Sequence, residues 1–60
     1  MKNLLNTLSN ELLAKLSDFN VCYVSVEYNE VNVSSEYDLD MSFYVAIEKE
    51  LFELGLITSY

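Results

Sequence analysis

The stretch Val21–Tyr37, VCYVSVEYNEVNVSSEY, decides the fold. Within it the apolar residues recur at every second position, the period of a half-buried strand. A first run, Phe19–Tyr28, sets Cys22, Val24, Val26 and Tyr28 on one face against Val21, Tyr23, Ser25 and Glu27 on the other. A second run, Val31–Tyr37, sets Val31, Val33, Ser35 and Tyr37 opposite Asn32, Ser34 and Glu36. Asn29-Glu30 separates the runs, and a two-residue turn there pairs Tyr28 with Val31, Val26 with Val33, Val24 with Ser35 and Cys22 with Tyr37. That register gives an antiparallel hairpin with one apolar and one polar face. Asn29 tolerates positive φ, whereas Glu30 is a poor second turn residue, so a longer loop is an alternative.

Outward from the hairpin the period changes to 3.6. On the N-terminal side, Leu5, Leu8, Leu12 and Leu16, with Leu4 and Leu13 alongside, predict one amphipathic helix from about Asn3 to Ser17. Asn3 is its expected N-cap, and Asn6, Ser9, Asn10 and Lys15 face away. On the C-terminal side a helix is expected from about Asp40 to Leu54, with Asp38 and Asp40 at its start and Gly55 just past its end. Phe43, Tyr44, Ile47, Leu51 and Leu54 form its main apolar stripe, and Met41, Val45 and Phe52 form a second one off that axis. The tail Leu56–Tyr60 either adds a short third strand or packs down. The expectation is one α+β domain over residues 1–60: two helices packed on a small antiparallel sheet, in the order α-β-β-α.

Composition narrows the chemistry. Of 60 residues, 52% are apolar, and the mean hydropathy is +0.15. So small a chain hides such a surface poorly, which points to self-association or an apolar patch kept for a partner. Cys22 is the only cysteine, so no internal disulfide forms, and a cytoplasmic protein is expected. Its place in an alternating apolar run favours a buried, inert thiol. Asn3, Asn6, Asn10, Glu11 and Lys15 interrupt the leucine-rich start and argue against a signal peptide or a membrane span. There is no histidine, hence no Ser-His-Asp or Cys-His arrangement, and no glycine-rich phosphate loop. No enzyme activity and no cofactor are expected. Glu36, Asp38, Asp40 and Ser42 alternate like the start of a calcium loop, but the sixth and twelfth places from Asp38 hold Phe43 and Lys49 rather than glycine and glutamate. Helix capping and solvation account better for these acids, and no metal site is expected.

The acids are unevenly placed. Before Glu27, two lysines balance two acids; from Glu27 onward, eight acids face Lys49 alone, so the whole net charge of −7 arises there. The chain will be repelled by nucleic acid, and its electrostatic partners should be basic surfaces. Alternate residues of an extended strand stand about 6.6 Å apart. A row Glu36, Asp38, Asp40, if extended, would therefore space its charges at roughly phosphate-like intervals. The plainer reading is that a small soluble protein simply keeps its charges outside.

Small size, strong negative charge, absence of histidine and arginine, five tyrosines and helices around a small sheet together resemble the small acidic inhibitors encoded by phages. These include anti-CRISPR and anti-restriction DNA mimics and small inhibitors of host polymerase. The profile of the whole chain carries the resemblance, and no position-specific motif does. It implies a protein that blocks a basic, nucleic-acid-handling target in the cytoplasm of a bacterial host. The expected partner-binding residues are Glu36, Asp38, Asp40, Glu48, Glu50, Glu53 and Tyr37, with any of Tyr23, Tyr28, Tyr44 and Tyr60 that are exposed. The alternatives are an immunity protein or antitoxin covering a nuclease, and a structural homo-oligomer joined through Met41, Val45 and Phe52.

Overall fold

The hairpin forms where the alternation places it, with a different register. In the computed structural model, which describes residues 3–60, strand β1 is Val21–Glu27 and strand β2 is Glu30–Ser35. They pair antiparallel as Glu27↔Glu30, Val26↔Val31, Ser25↔Asn32, Val24↔Val33 and Tyr23↔Ser34. The turn is therefore Tyr28-Asn29, not Asn29-Glu30. Both central residues have positive φ, 52° and 63°, as a two-residue hairpin loop of the primed type requires. The shift relative to the expected register is two residues, so Val24, Val26, Val31 and Val33 keep their expected shared face. It also replaces the Val26–Val33 and Val24–Ser35 pairs by two direct valine pairs. Tyr28, expected on the apolar face, is turned into solvent.

A bulge corrects the start of β1. Val21 pairs with Ser35 while Tyr23 pairs with Ser34, leaving Cys22 as the extra residue. One inserted residue reverses the alternation. Val21 packs against the core, and Cys22, expected to be buried, is exposed. Its expected pairing with Tyr37 is absent.

The first helix is broken. A single 3-10 turn, Leu5–Thr7, is followed by extended backbone at Leu8 and Ser9, and helix α1 covers only Asn10–Leu16. Ser9 is the N-cap, its side chain accepting from the Leu12 amide. Asn3 does bond the Leu5 N–H through Oδ1, but it opens only the short turn. The same Oδ1 accepts from the Val24 N–H, and the Leu4 N–H donates to the Val24 carbonyl at 2.6 Å. The N-terminal segment thus lies along the outer edge of β1. A second 3-10 turn, Ser17–Phe19, and left-handed Asn20 lead into β1.

Helix α2, Met41–Glu53, stands within a residue of its expected limits. Asp40 is its N-cap by backbone geometry, although its side chain makes no capping hydrogen bond. Gly55 (φ 78°) ends it: the Leu56 N–H reaches the Leu51 carbonyl at 2.9 Å and the Gly55 N–H the Phe52 carbonyl at 3.0 Å. This is a Schellman termination, which glycine favours because a Cβ resists positive φ.

Leu4, Leu8, Leu12 and Leu16 meet Val24, Ile47, Leu51 and Ile57 in one core, with Val26, Val31, Val33 and Phe43 packed against it. The Phe19 and Phe43 rings meet edge to face at 4.9 Å. Both helices and the sheet share this core, giving a two-layer α+β fold in the order helix, strand, strand, helix. The tail forms no third strand. It packs down through buried Ile57, and the Asn29 side chain accepts from Thr58 N–H at 2.7 Å and donates to Ser59 Oγ at 3.2 Å. That tether joins the hairpin turn to the tail.

Candidate partner-binding surface

The seven expected site residues lie along the β2–α2 connection and α2. At 1.5 Å per residue, α2 separates Asp40 from Glu53 by about 20 Å. The acids therefore do not form one cluster. The extended row Glu36, Asp38, Asp40 does not form either, because β2 ends at Ser35 and the chain bends at Glu36 and Tyr37. Ser35 Oγ donates to the Tyr37 carbonyl at 2.7 Å, and Glu36 accepts from Asn20 Nδ2, so both residues are held locally. Tyr37 keeps its ring exposed, and Asp38 and Asp40 are exposed beside it.

Glu50 has a structural task that the sequence does not advertise. Its two carboxylate oxygens accept from the Ser9 N–H and the Ser9 Oγ–H, each at 2.7 Å. Ser9 in turn caps α1, so a carboxylate from α2 clamps the start of α1 and supplies negative charge where the helix dipole favours it. Glu53 stands near this clamp. Thr7, Ser9, Glu50, Glu53 and Leu54 line an open groove of about 420 Å³.

Helical geometry sorts the rest of α2. At 100° per residue, Met41, Val45 and Phe52 project within about 40° of one another, and Glu48 falls at the border of the same sector. Ile47 and Leu51 project about 140° and about 100° from the centre of that sector and are buried. All three apolar residues of the outer sector are exposed, Met41 at 77%. Tyr60 from the tail lies against Phe52, ring centroids 5.2 Å apart, and is itself exposed. The outer face of α2 is thus an apolar strip ending in an aromatic pair, with Glu48 beside it and Asp38 and Asp40 beyond its N-terminal end.

The hairpin tip carries a residue the alternation misplaces. Tyr28 is 91% exposed and sits at φ 52°. No glycine or asparagine marks that position, so only the register reveals it. Tyr23 and Tyr44 are half-buried and less available.

Lys49 is the one cation among the described residues from Glu27 onward, and it forms no ion pair among them. Among the described residues the only ion pair joins Lys15 to Glu11 at 3.9 Å, on α1. None of the eight acids from Glu27 onward is in an ion pair among the described residues. No three His, Cys, Asp or Glu side chains gather among the described residues as a metal ion would require. No described helix is long and apolar enough to cross a membrane. No protein-family model matches the chain, and no curated protein or solved structure matches it.

Proposed function

We propose that the protein is a small acidic inhibitor that binds a basic, nucleic-acid-handling protein and blocks its groove, acting as an anti-defence protein of the kind phages encode. The observation that carries this reading is the set of eight acids from Glu27 onward, answered by one lysine and by no ion pair among the described residues. Exposed acids in such excess steer a basic partner toward the surface. Tyr37, Tyr60 and the apolar strip of α2 would supply contact energy, since aromatic anchors carry most of the energy of interfaces. Of the six expected binding acids, Asp38, Asp40 and Glu53 are exposed and Glu48 is half-buried, whereas Glu50 and Glu36 are bonded within the chain.

The test uses the parent chain and the combined variant Asp38→Asn, Asp40→Asn, Glu48→Gln, Glu53→Gln as parallel baits for host proteins. The variant should fold, because exposed charges contribute little to stability. The parent should retain a basic protein that salt elutes and that the variant binds at least about tenfold more weakly. Retention of the same protein by both baits, with the same salt dependence, would refute the electrostatic reading.

A second reading rests on the exposure of Met41, Val45 and Phe52 on one sector of α2. In it, two copies join through these strips. Its salt dependence has the opposite sign, because two bodies of like charge approach.

A further inference from the structure

The hairpin has two edges, and they are treated differently by the rest of the chain. In an antiparallel pair the backbone groups of alternate residues point toward the partner strand and away from it. The Val24 N–H and carbonyl point away from β2, since they bond Asn3 Oδ1 and the Leu4 N–H. Val24 pairs with Val33. The Val33 N–H and carbonyl therefore also point outward, from the free side of β2, and so do those of Val31 opposite Val26. Among the described residues, nothing bonds the outward groups of Val31 and Val33. The N-terminal segment covers the edge of β1; among the described residues, no corresponding segment pairs with β2.

Three devices that discourage strand addition are missing from this edge. β2 has no lysine, no proline and no bulge of its own. Its charge is instead negative. Glu27 and Glu30 stand directly opposite one another at the turn, both exposed, and like charges so placed repel. A second copy of the chain would bring a further pair of acids to this edge. A cationic strand would relieve the repulsion.

We propose that the free edge of β2 accepts an extended, lysine- or arginine-bearing segment of a partner protein as an added antiparallel strand. The Val31 and Val33 backbone groups supply the ladder, and Glu27 and Glu30 select the basic side chains. Alternation gives the segment its pattern: basic residues on the face shared with Glu30 and apolar residues beside Val31 and Val33. This inference rests on the proposed reading that the partner is basic, and names the edge that takes it.

The probe is a capped seven-residue peptide of alternating lysine and valine, with a glutamate–valine peptide as its counterpart. The 60-residue chain is made by chemical synthesis with and without an N-methyl group on Val33. The methyl removes one outward donor and leaves the side chain and the β1–β2 ladder in place. The lysine peptide should bind the parent, shift and protect the Val31 and Val33 amides, and bind the N-methylated chain at least about tenfold more weakly. The glutamate peptide should not bind. Glu30→Lys, which alters no backbone group, should weaken the lysine peptide by a similar factor. Equal binding of the lysine peptide to parent, N-methylated and Glu30→Lys chains overturns the proposal. So does equal binding of the two peptides, or occupation of the edge by a second copy of the chain in preference to the lysine peptide. The difference between the parent and the N-methylated chain reads this edge alone, and the four-acid variant leaves Glu27, Glu30 and Val33 untouched. Failure of one is therefore distinguishable from failure of the other.

Discussion

Tyr28 shows what a single residue can hide from a reading of the sequence. The left-handed conformation costs a residue with a Cβ about 1–2 kcal/mol, and only asparagine or aspartate offsets part of that locally. Asn29 meets the requirement of the turn; Tyr28, at φ 52°, does not. Replacing Tyr28 by Gly should therefore stabilise the hairpin by about 1 kcal/mol, raising Tm by several degrees in a domain of this size. Thermal melts of the two chains check this, and a lower Tm for Tyr28→Gly would show that the exposed ring makes a compensating contact. Cys22 is the matching case in the strand. Its burial follows from strict alternation, and its exposure follows from one bulge. Nothing in Val21-Cys22-Tyr23 marks the inserted residue, because all three side chains suit either face.

At the scale of elements, the parts read correctly were those specified by local periodicity. The shared face of Val24, Val26, Val31 and Val33 and the limits of α2, closed by Gly55, follow from spacing and the terminal glycine; the face of Val21 does not, because the bulge at Cys22 reverses it. The register did not, because a shift of two residues preserves every face, and the Asn29 tether to Thr58 and Ser59 that accompanies the observed turn is a long-range contact. The break before α1 did not either. Leu4, Leu8, Leu12 and Leu16 run at steps of four straight through it, while the clamp that stabilises it comes from Glu50, 41 residues beyond Ser9. Of the expected binding acids, Glu50 thus has a role in folding that its charge alone did not reveal. Glu50→Ala should cost about 1–2 kcal/mol by removing both acceptors from Ser9. Glu53→Ala, one turn away on the same helix, should change stability by less than about 0.5 kcal/mol. Urea unfolding of the pair decides it: equal midpoints would mean that the clamp contributes nothing and that Glu50 belongs with the binding acids.

For the whole molecule, size and charge act together. The radius of gyration is 10.4 Å and the longest extent 28 Å, the dimensions of a compact chain of this length. At about 0.01 M salt the Debye length is roughly 30 Å, longer than the protein, so the seven net charges repel one another across the body. At about 1 M it is roughly 3 Å and that repulsion is gone. Added salt should therefore raise Tm, and it should separate the two kinds of association. Joining two copies through Met41, Val45 and Phe52 brings like-charged bodies together, so self-association should strengthen as salt rises and be removed by Phe52→Ser. Joining a basic partner brings opposite charges together, so that binding should weaken over the same range. Sedimentation equilibrium at about 0.02 M and about 0.5 M salt measures the first, and partner titrations at the same concentrations measure the second. A chain that self-associates most strongly at low salt would have a contact richer in opposite charges than the strip on α2 provides. The dimer assigned to Met41, Val45 and Phe52 would then be wrong.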